Sequence, residues 1–165
     1  MSYPSALYLG DKGEVSAVLR GAETPPDLAI GTRSRVSLLA TAATTDGHFG
    51  LYRWDMTGER ASSTPTGHYH RTFSESFFIL EGTVALYDGA MWRETKAGDY
   101  FYVPPGGVHG FTNTSGAPAS MLVLFAPGTA REQFFQELAE IARSHRELTR
   151  EEWAELYARH DQYLA

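Results

Sequence analysis

From Arg35 to Gly128 the chain is cut into strand-length runs by turn residues at short intervals, the pattern of a sandwich or a barrel. Val36, Leu38 and Ala40 alternate onto one face. Tyr52, Trp54 and Met56 do the same, with Arg53 and Asp55 opposite. Runs at 76–80 and 83–87 flank a tight turn at Glu81-Gly82. Asp88-Gly89 is a hairpin signal leading into 91–95. Ala97-Gly98-Asp99 turns into 100–103, Pro104-Pro105-Gly106-Gly107 delivers His109, and 119–125 is a last apolar strand ending at Pro127-Gly128. Upstream, 6–9 and 15–19 read as two further short strands. Residues 21–34, with Gly21, Pro25, Pro26 and Gly31, read as a connecting loop.

After Gly128 the apolar period changes to that of helices. Thr129 with Glu132, and Thr149 with Glu152, each match a capping box. Phe134, Phe135, Leu138, Ile141 and Ala142 follow the first, and Trp153, Leu156, Tyr157 and His160 follow the second, at helical spacing. Two amphipathic helices are expected, packed on the barrel or on a partner subunit rather than acting as a lid.

Chemistry concentrates in the middle of the chain. His68 and His70 alternate onto one strand face, Glu75 rejoins that face after a short turn, and His109 arrives from a separate strand. Neutral imidazoles with a carboxylate suit a divalent transition ion: Fe, Ni, Mn, Co, Cu or Zn. Four protein ligands leave one or two positions open on a five- or six-coordinate ion, as a catalytic site requires. Glu75 can ligate, or act as a general base toward a bound phenol or enol. By parity Phe77, Ile79, Phe111 and Asn113 share the inward face, and Tyr52, Trp54 and Met56 add an aromatic wall. The expected ligand pocket is therefore Tyr52, Trp54, Phe77, Ile79 and Phe111, with Tyr102 a further candidate donor. These faces carry no Lys or Arg, so a planar, largely neutral ligand is expected, flavonols ahead of sugar phosphates or dicarboxylic acids. His48, His145 and His160 lack such company and read as surface or packing residues.

Together these residues resemble the cupin superfamily. The pattern H-x-H-x4-E-x6-G is met by His68, His70, Glu75 and Gly82. The pattern G-x5-P-x-G-x2-H-x3-N is met by Gly98, Pro104, Gly106, His109 and Asn113. One position departs: Ser62 stands where the family's first motif opens on Gly. The motifs cover 62–113 and the barrel resemblance 35–127. The fold this implies is an all-β double-stranded β-helix, the cupin or jelly-roll barrel, with one barrel (a monocupin) and two C-terminal α-helices. A single domain is expected over 1–165: N-terminal strands and loop at 1–34, barrel at 35–127, helices at 128–165. Pro127-Gly128-Thr129 and Phe134-Phe135 are similar to the bacterial quercetin 2,3-dioxygenase-like cupins. That resemblance implies a metal-dependent dioxygenase acting on a phenolic or enolic, flavonol-like substrate. Two alternatives stand beside it: a Lewis-acid cyclase or isomerase of a polyketide-like substrate, and a non-catalytic module that holds a small ligand.

The remaining properties narrow the partners. Net charge is −6, which argues against nucleic acid or an anionic membrane as partner. There is no Cys, hence no disulfide framework and no thiolate chemistry. The first residues lack the basic region and apolar core of a signal peptide, so a cytoplasmic protein is expected. Unpaired barrel edges and the apolar runs near the start lead us to expect a homodimer built partly from 5–20.

Overall fold

The computed structural model describes residues 3–59 and 65–165; Ser62 lies outside the described residues. The strands are β1 (Leu28–Ile30), β2 (Ser34–Ala40), β3 (Gly50–Met56), β4 (His68–Tyr69), β5 (Ser74–Glu81), β6 (Thr83–Tyr87), β7 (Trp92–Lys96), β8 (Tyr100–Val103), β9 (Gly110–Thr112) and β10 (Ala119–Ala126). Helices α1 (Arg131–Ser144) and α2 (Arg150–Arg159) follow, then a short strand β11 (Tyr163–Leu164). A six-stranded sheet runs in the order β1-β2-β3-β10-β5-β8, and a three-stranded sheet in the order β7-β6-β9. All pairings are antiparallel. The fold is a double-stranded β-helix with two C-terminal helices.

Alternation along the strands builds the core. Tyr52, Trp54 and Met56 from β3, Phe77 and Ile79 from β5, Val84 and Leu86 from β6, and Met121, Val123 and Phe125 from β10 are all buried. Each fully buried apolar side chain contributes about 1.5–3 kcal/mol. Between β5 and β6 the chain reverses at Gly82, whose φ is +69°. A Cβ there would also collide with the Pro118 carbonyl oxygen, so glycine is required twice over. The next hairpin is wider than Asp88-Gly89 alone suggests. The Asp88 carboxylate accepts from the Ala90 and Met91 amides, and the strand resumes at Trp92.

Three expectations fail, each for a physical reason. Residues 6–9 and 15–19 form no strand; Leu7, Leu9, Val15, Val18 and Leu19 are all exposed. They have no ladder partner among the described residues, and an isolated extended run does not hold. The supposed loop 21–34 instead contains β1, which pairs with β2 through Leu28–Val36 and Ile30–Ser34. Finally, Thr129 does not cap α1, whose N-cap is Ala130 with no side-chain hydrogen bond. Glu132 accepts from the Tyr52 hydroxyl at 2.6 Å instead. Tyr52 is fully buried, and a buried hydroxyl loses more without a partner than a helix end within reach of water. The Thr149–Glu152 box at α2 forms as expected. Phe135 of α1 packs edge-on against both Tyr52 and Trp54, which seats the helix on the barrel.

Candidate metal centre

His68 and His109 bring the two motifs together through the backbone. Each residue's amide donates to the other's carbonyl, at 2.9 and 2.8 Å, which fixes the two strands side by side. The Pro104–Gly107 turn is pinned to the same place by Gly106, whose amide donates to the His70 carbonyl at 2.7 Å. As a result one nitrogen each of His68, His70 and His109 and one oxygen of Glu75 lie within 4.8 Å of one another. His70, Glu75 and His109 are buried and His68 is half-buried.

The rings are held in one tautomer. His70 Nδ1–H donates to the Asp161 carbonyl at 2.6 Å, and His109 Nδ1–H to the Gly107 carbonyl at 3.0 Å. A carbonyl can only accept, so both Nε2 atoms are turned toward Glu75 Oε2, at 3.2 and 2.9 Å. Metal-ligating imidazoles are oriented by such partners. His70 Nε2 is buried with no hydrogen-bond partner, an orphan that a metal ion would satisfy. The donor set therefore fits one divalent transition ion.

Electrostatics agree. Burial, with the neighbouring imidazoles, pushes the His68 pKa down to about 3, so the ring is neutral and free to ligate. Burial works against ionisation of Glu75, but the hydrogen bond from His109, with the His70 ring close by, holds its carboxyl far below the usual carboxylate range. Burial also opposes protonation of His109, but the Glu75 carboxylate and the Gly107 carbonyl outweigh it and raise its pKa. A cation held by the quartet would take the place of that proton.

The centre opens into a cavity of about 390 Å³, within the range of small-molecule sites. His68 and Glu75 sit in its wall with Trp54, Phe111, Phe134, Phe135, Trp153 and Tyr157. Of the five expected pocket residues, Trp54 and Phe111 line it. Tyr52, Phe77 and Ile79 do not; they face inward but lie in the packed core. Tyr102 points away, exposed on the outer face of the six-stranded sheet. Asn113 builds a turn, donating to Ala117 and accepting from Ser115.

What the motifs do not reveal comes from outside them. Ile30 lies on β1, and the helices supply five of the lining aromatic and aliphatic side chains, so they wall the cavity as well as packing on the barrel. The segment after α2 closes over β4. Tyr163 and Leu164 pair with Tyr69 and His68, while the Asp161 carboxylate accepts from the Arg71 and Thr72 amides and the Thr72 hydroxyl. Above all, Arg131 lines the cavity and is 4% exposed. The expectation of a site without Lys or Arg is therefore incorrect: parity along the strands said nothing of a cation delivered by the first residue of a helix. A larger groove of about 580 Å³ between the helices shares no residue with the centre and is lined by ion pairs such as Arg146–Glu152 and Arg159–Glu137.

A family model described as the cupin domain matches residues 56–125. An uncharacterized protein of Aquifex aeolicus (strain VF5) is 35% identical over 60 residues, 36% of this chain and 49% of that protein; the chain thus spans about half the length of the relative it matches. Among solved structures, similar folds include the polyketide cyclase RemF from Streptomyces resistomycificus (TM-score 0.55, 20% identity, 67% of this chain and 80% of that one). A predicted oxalate decarboxylase from Thermotoga maritima gives a TM-score of 0.54 at 20% identity over 67% and 99% of the two chains. KdgF from Halomonas sp. gives 0.53 at 16% identity over 63% and 89%. No described helix is long and apolar enough to cross a membrane.

Proposed function

We propose that this chain, whose residues 56–125 match the cupin domain model, is a metal-dependent enzyme that takes a small aromatic or enolic molecule and cleaves it with O2. One observation carries this reading: a quartet of three imidazoles and a carboxylate, oriented by hydrogen bonds, stands in the wall of an aromatic-lined cavity. When bound, a divalent ion there would polarise adjacent ligand oxygens and, if redox active, admit O2 chemistry.

The chain's own residues do the rest. Trp54, Phe111 and Phe135 offer ring faces and edges to a planar ligand and keep water from it. Glu75 Oε2, ionised and close to the Nε2 atoms of His109 and His70, is the group that would accept a phenolic or enolic proton. His70 and His109 are kept from rotating by the Asp161 and Gly107 carbonyls.

The test is reconstitution with Fe, Mn, Co, Ni, Cu or Zn, followed by oxygen-electrode and product measurements on flavonols and catechols. O2 uptake matched to ring-opened product is expected. His68→Ala and His109→Ala should lose most bound metal, and Glu75→Gln should lose turnover more completely than metal. Turnover without O2 uptake would move the protein to Lewis-acid cyclisation or isomerisation; RemF, of similar fold, is named a polyketide cyclase. Retention of ligand without turnover would make it a binding module.

A further inference from the structure

Arg131 is a buried cation whose direct hydrogen-bond partners are all neutral. Its Nη1 donates to the His160 carbonyl at 2.9 Å and its Nη2 to Gln162 Oε1 at 3.0 Å, both neutral acceptors. Nε is buried and has no partner. Among the described residues no carboxylate lies within ion-pair distance of it. A guanidinium offers five N–H donors, so three are left over. The Phe134 ring, 4.3 Å from the guanidinium carbon, softens the loss of solvent without supplying a counter-charge.

Such a group is costly to bury alone. Burial lowers its pKa to about 10, which still leaves it charged at neutral pH. It lies at the start of the 14-residue helix α1, where the backbone dipole adds positive potential. The cavity holds Glu75 as its one carboxylate among the lining residues. A divalent ion on the quartet more than cancels that charge, and Arg131 raises the excess to two positive charges. On its other side Arg131 borders a smaller cavity of about 290 Å³ that also contains Glu137, Asp161 and Arg159; there the two carboxylates balance the two cations, and Glu137 is already paired with Arg159, so no net positive charge draws an anion to that side.

We propose that Arg131 is the counter-ion for an ionised group on the ligand, and that the site prefers aromatic or enolic acids to neutral polyphenols. The inference rests on the proposed function for the place of the ring, and not for the reaction. It replaces the neutral ligand expected from strand parity.

The probes are 3,4-dihydroxybenzoate and the isosteric neutral 3,4-dihydroxybenzamide. Their binding is measured by calorimetry under anaerobic conditions, on zinc-loaded and on EDTA-treated full-length protein. Zinc holds the chemistry silent, and the metal-free arm reads Arg131 without metal. Wild type should bind the acid about tenfold or more tightly than the amide, the scale of a charge-assisted hydrogen bond. Arg131→Met should abolish that preference and leave amide binding within about threefold. Arg131→Lys should keep part of it. Equal binding of the two probes by wild type, or binding of neither, overturns the proposal. So does Arg131→Met weakening both alike, which would make Arg131 only a latch for His160 and Gln162. The wild-type comparison stands even if Arg131→Met fails to fold. An acid preference in a protein without turnover would sink the enzyme reading and leave this one intact.

Discussion

Replacing Asp161 by Ala removes no metal ligand, yet it should weaken metal binding. The Asp161 carboxylate accepts three hydrogen bonds, from the Arg71 amide at 3.0 Å, the Thr72 amide at 2.8 Å and the Thr72 hydroxyl at 2.7 Å. Partly exposed bonds of this kind contribute about 1 kcal/mol each, so their loss costs about 3 kcal/mol. The residue also sits at φ +52°, where Ala adds about 1 kcal/mol that Asp tolerates better. A total near 4 kcal/mol lowers the melting temperature of a chain this size by roughly 10 °C. Once the segment loosens, the Asp161 carbonyl no longer holds His70 Nδ1, and loss of such an outer partner weakens metal binding by about 10- to 100-fold. The assay is a zinc competition titration against a chromophoric chelator, paired with thermal melts of the metal-free protein. Asp161→Gly should be about 1 kcal/mol less destabilised than Asp161→Ala, because glycine is free at that φ. Wild-type zinc affinity in Asp161→Ala would refute the link between this turn and the ligand, however unstable the variant.

Acid should unfold the metal-free protein early. His68 is protonated in the unfolded chain below about pH 6.5 but stays neutral in the fold down to about 3. The unfolded state therefore binds the extra proton, and stability falls as pH drops through that window. Glu75, depressed in the fold, adds a loss at the acid end, while His109, raised, contributes stability below about 6.5 that is lost as pH rises. Urea midpoints in EDTA from pH 8 to 4 should fall, and His68→Asn should flatten the fall; midpoints that climb on acidification would contradict the assignment. We also propose that the exposed apolar residues Leu7, Leu9, Val15, Val18 and Leu19 pack against a second copy, so light scattering should show a dimer that deletion of residues 1–20 converts to monomer. A stable wild-type monomer at micromolar concentration removes that idea.

Much of the barrel was legible because its signals are local. Alternation at Tyr52–Met56 and turn residues at Gly82 and Gly98 depend on neighbours a few positions away. The quartet was legible for the same reason: two short motifs carry all four side chains. Depth was not. Parity separates inward from outward but cannot tell cavity wall from packed core, so Trp54 and Phe111 fell in one class and Tyr52, Phe77 and Ile79 in the other. Nor did any periodicity announce Arg131, whose neighbours are set by tertiary packing, or β11, a two-residue strand whose partner lies far upstream. Glu132 shows the limit from the other side: a valid capping pattern lost its acid to a buried hydroxyl 80 residues away.

The hydrogen bond from His70 to Asp161 joins positions 91 residues apart. During synthesis every barrel strand through β10, and every metal ligand, is made before the turn that chooses the His70 tautomer. An ion arriving in that interval meets an imidazole free to present either nitrogen, and the site matures only when the last turn docks. Metal supplied to the growing chain and metal supplied to the finished protein are therefore two different experiments.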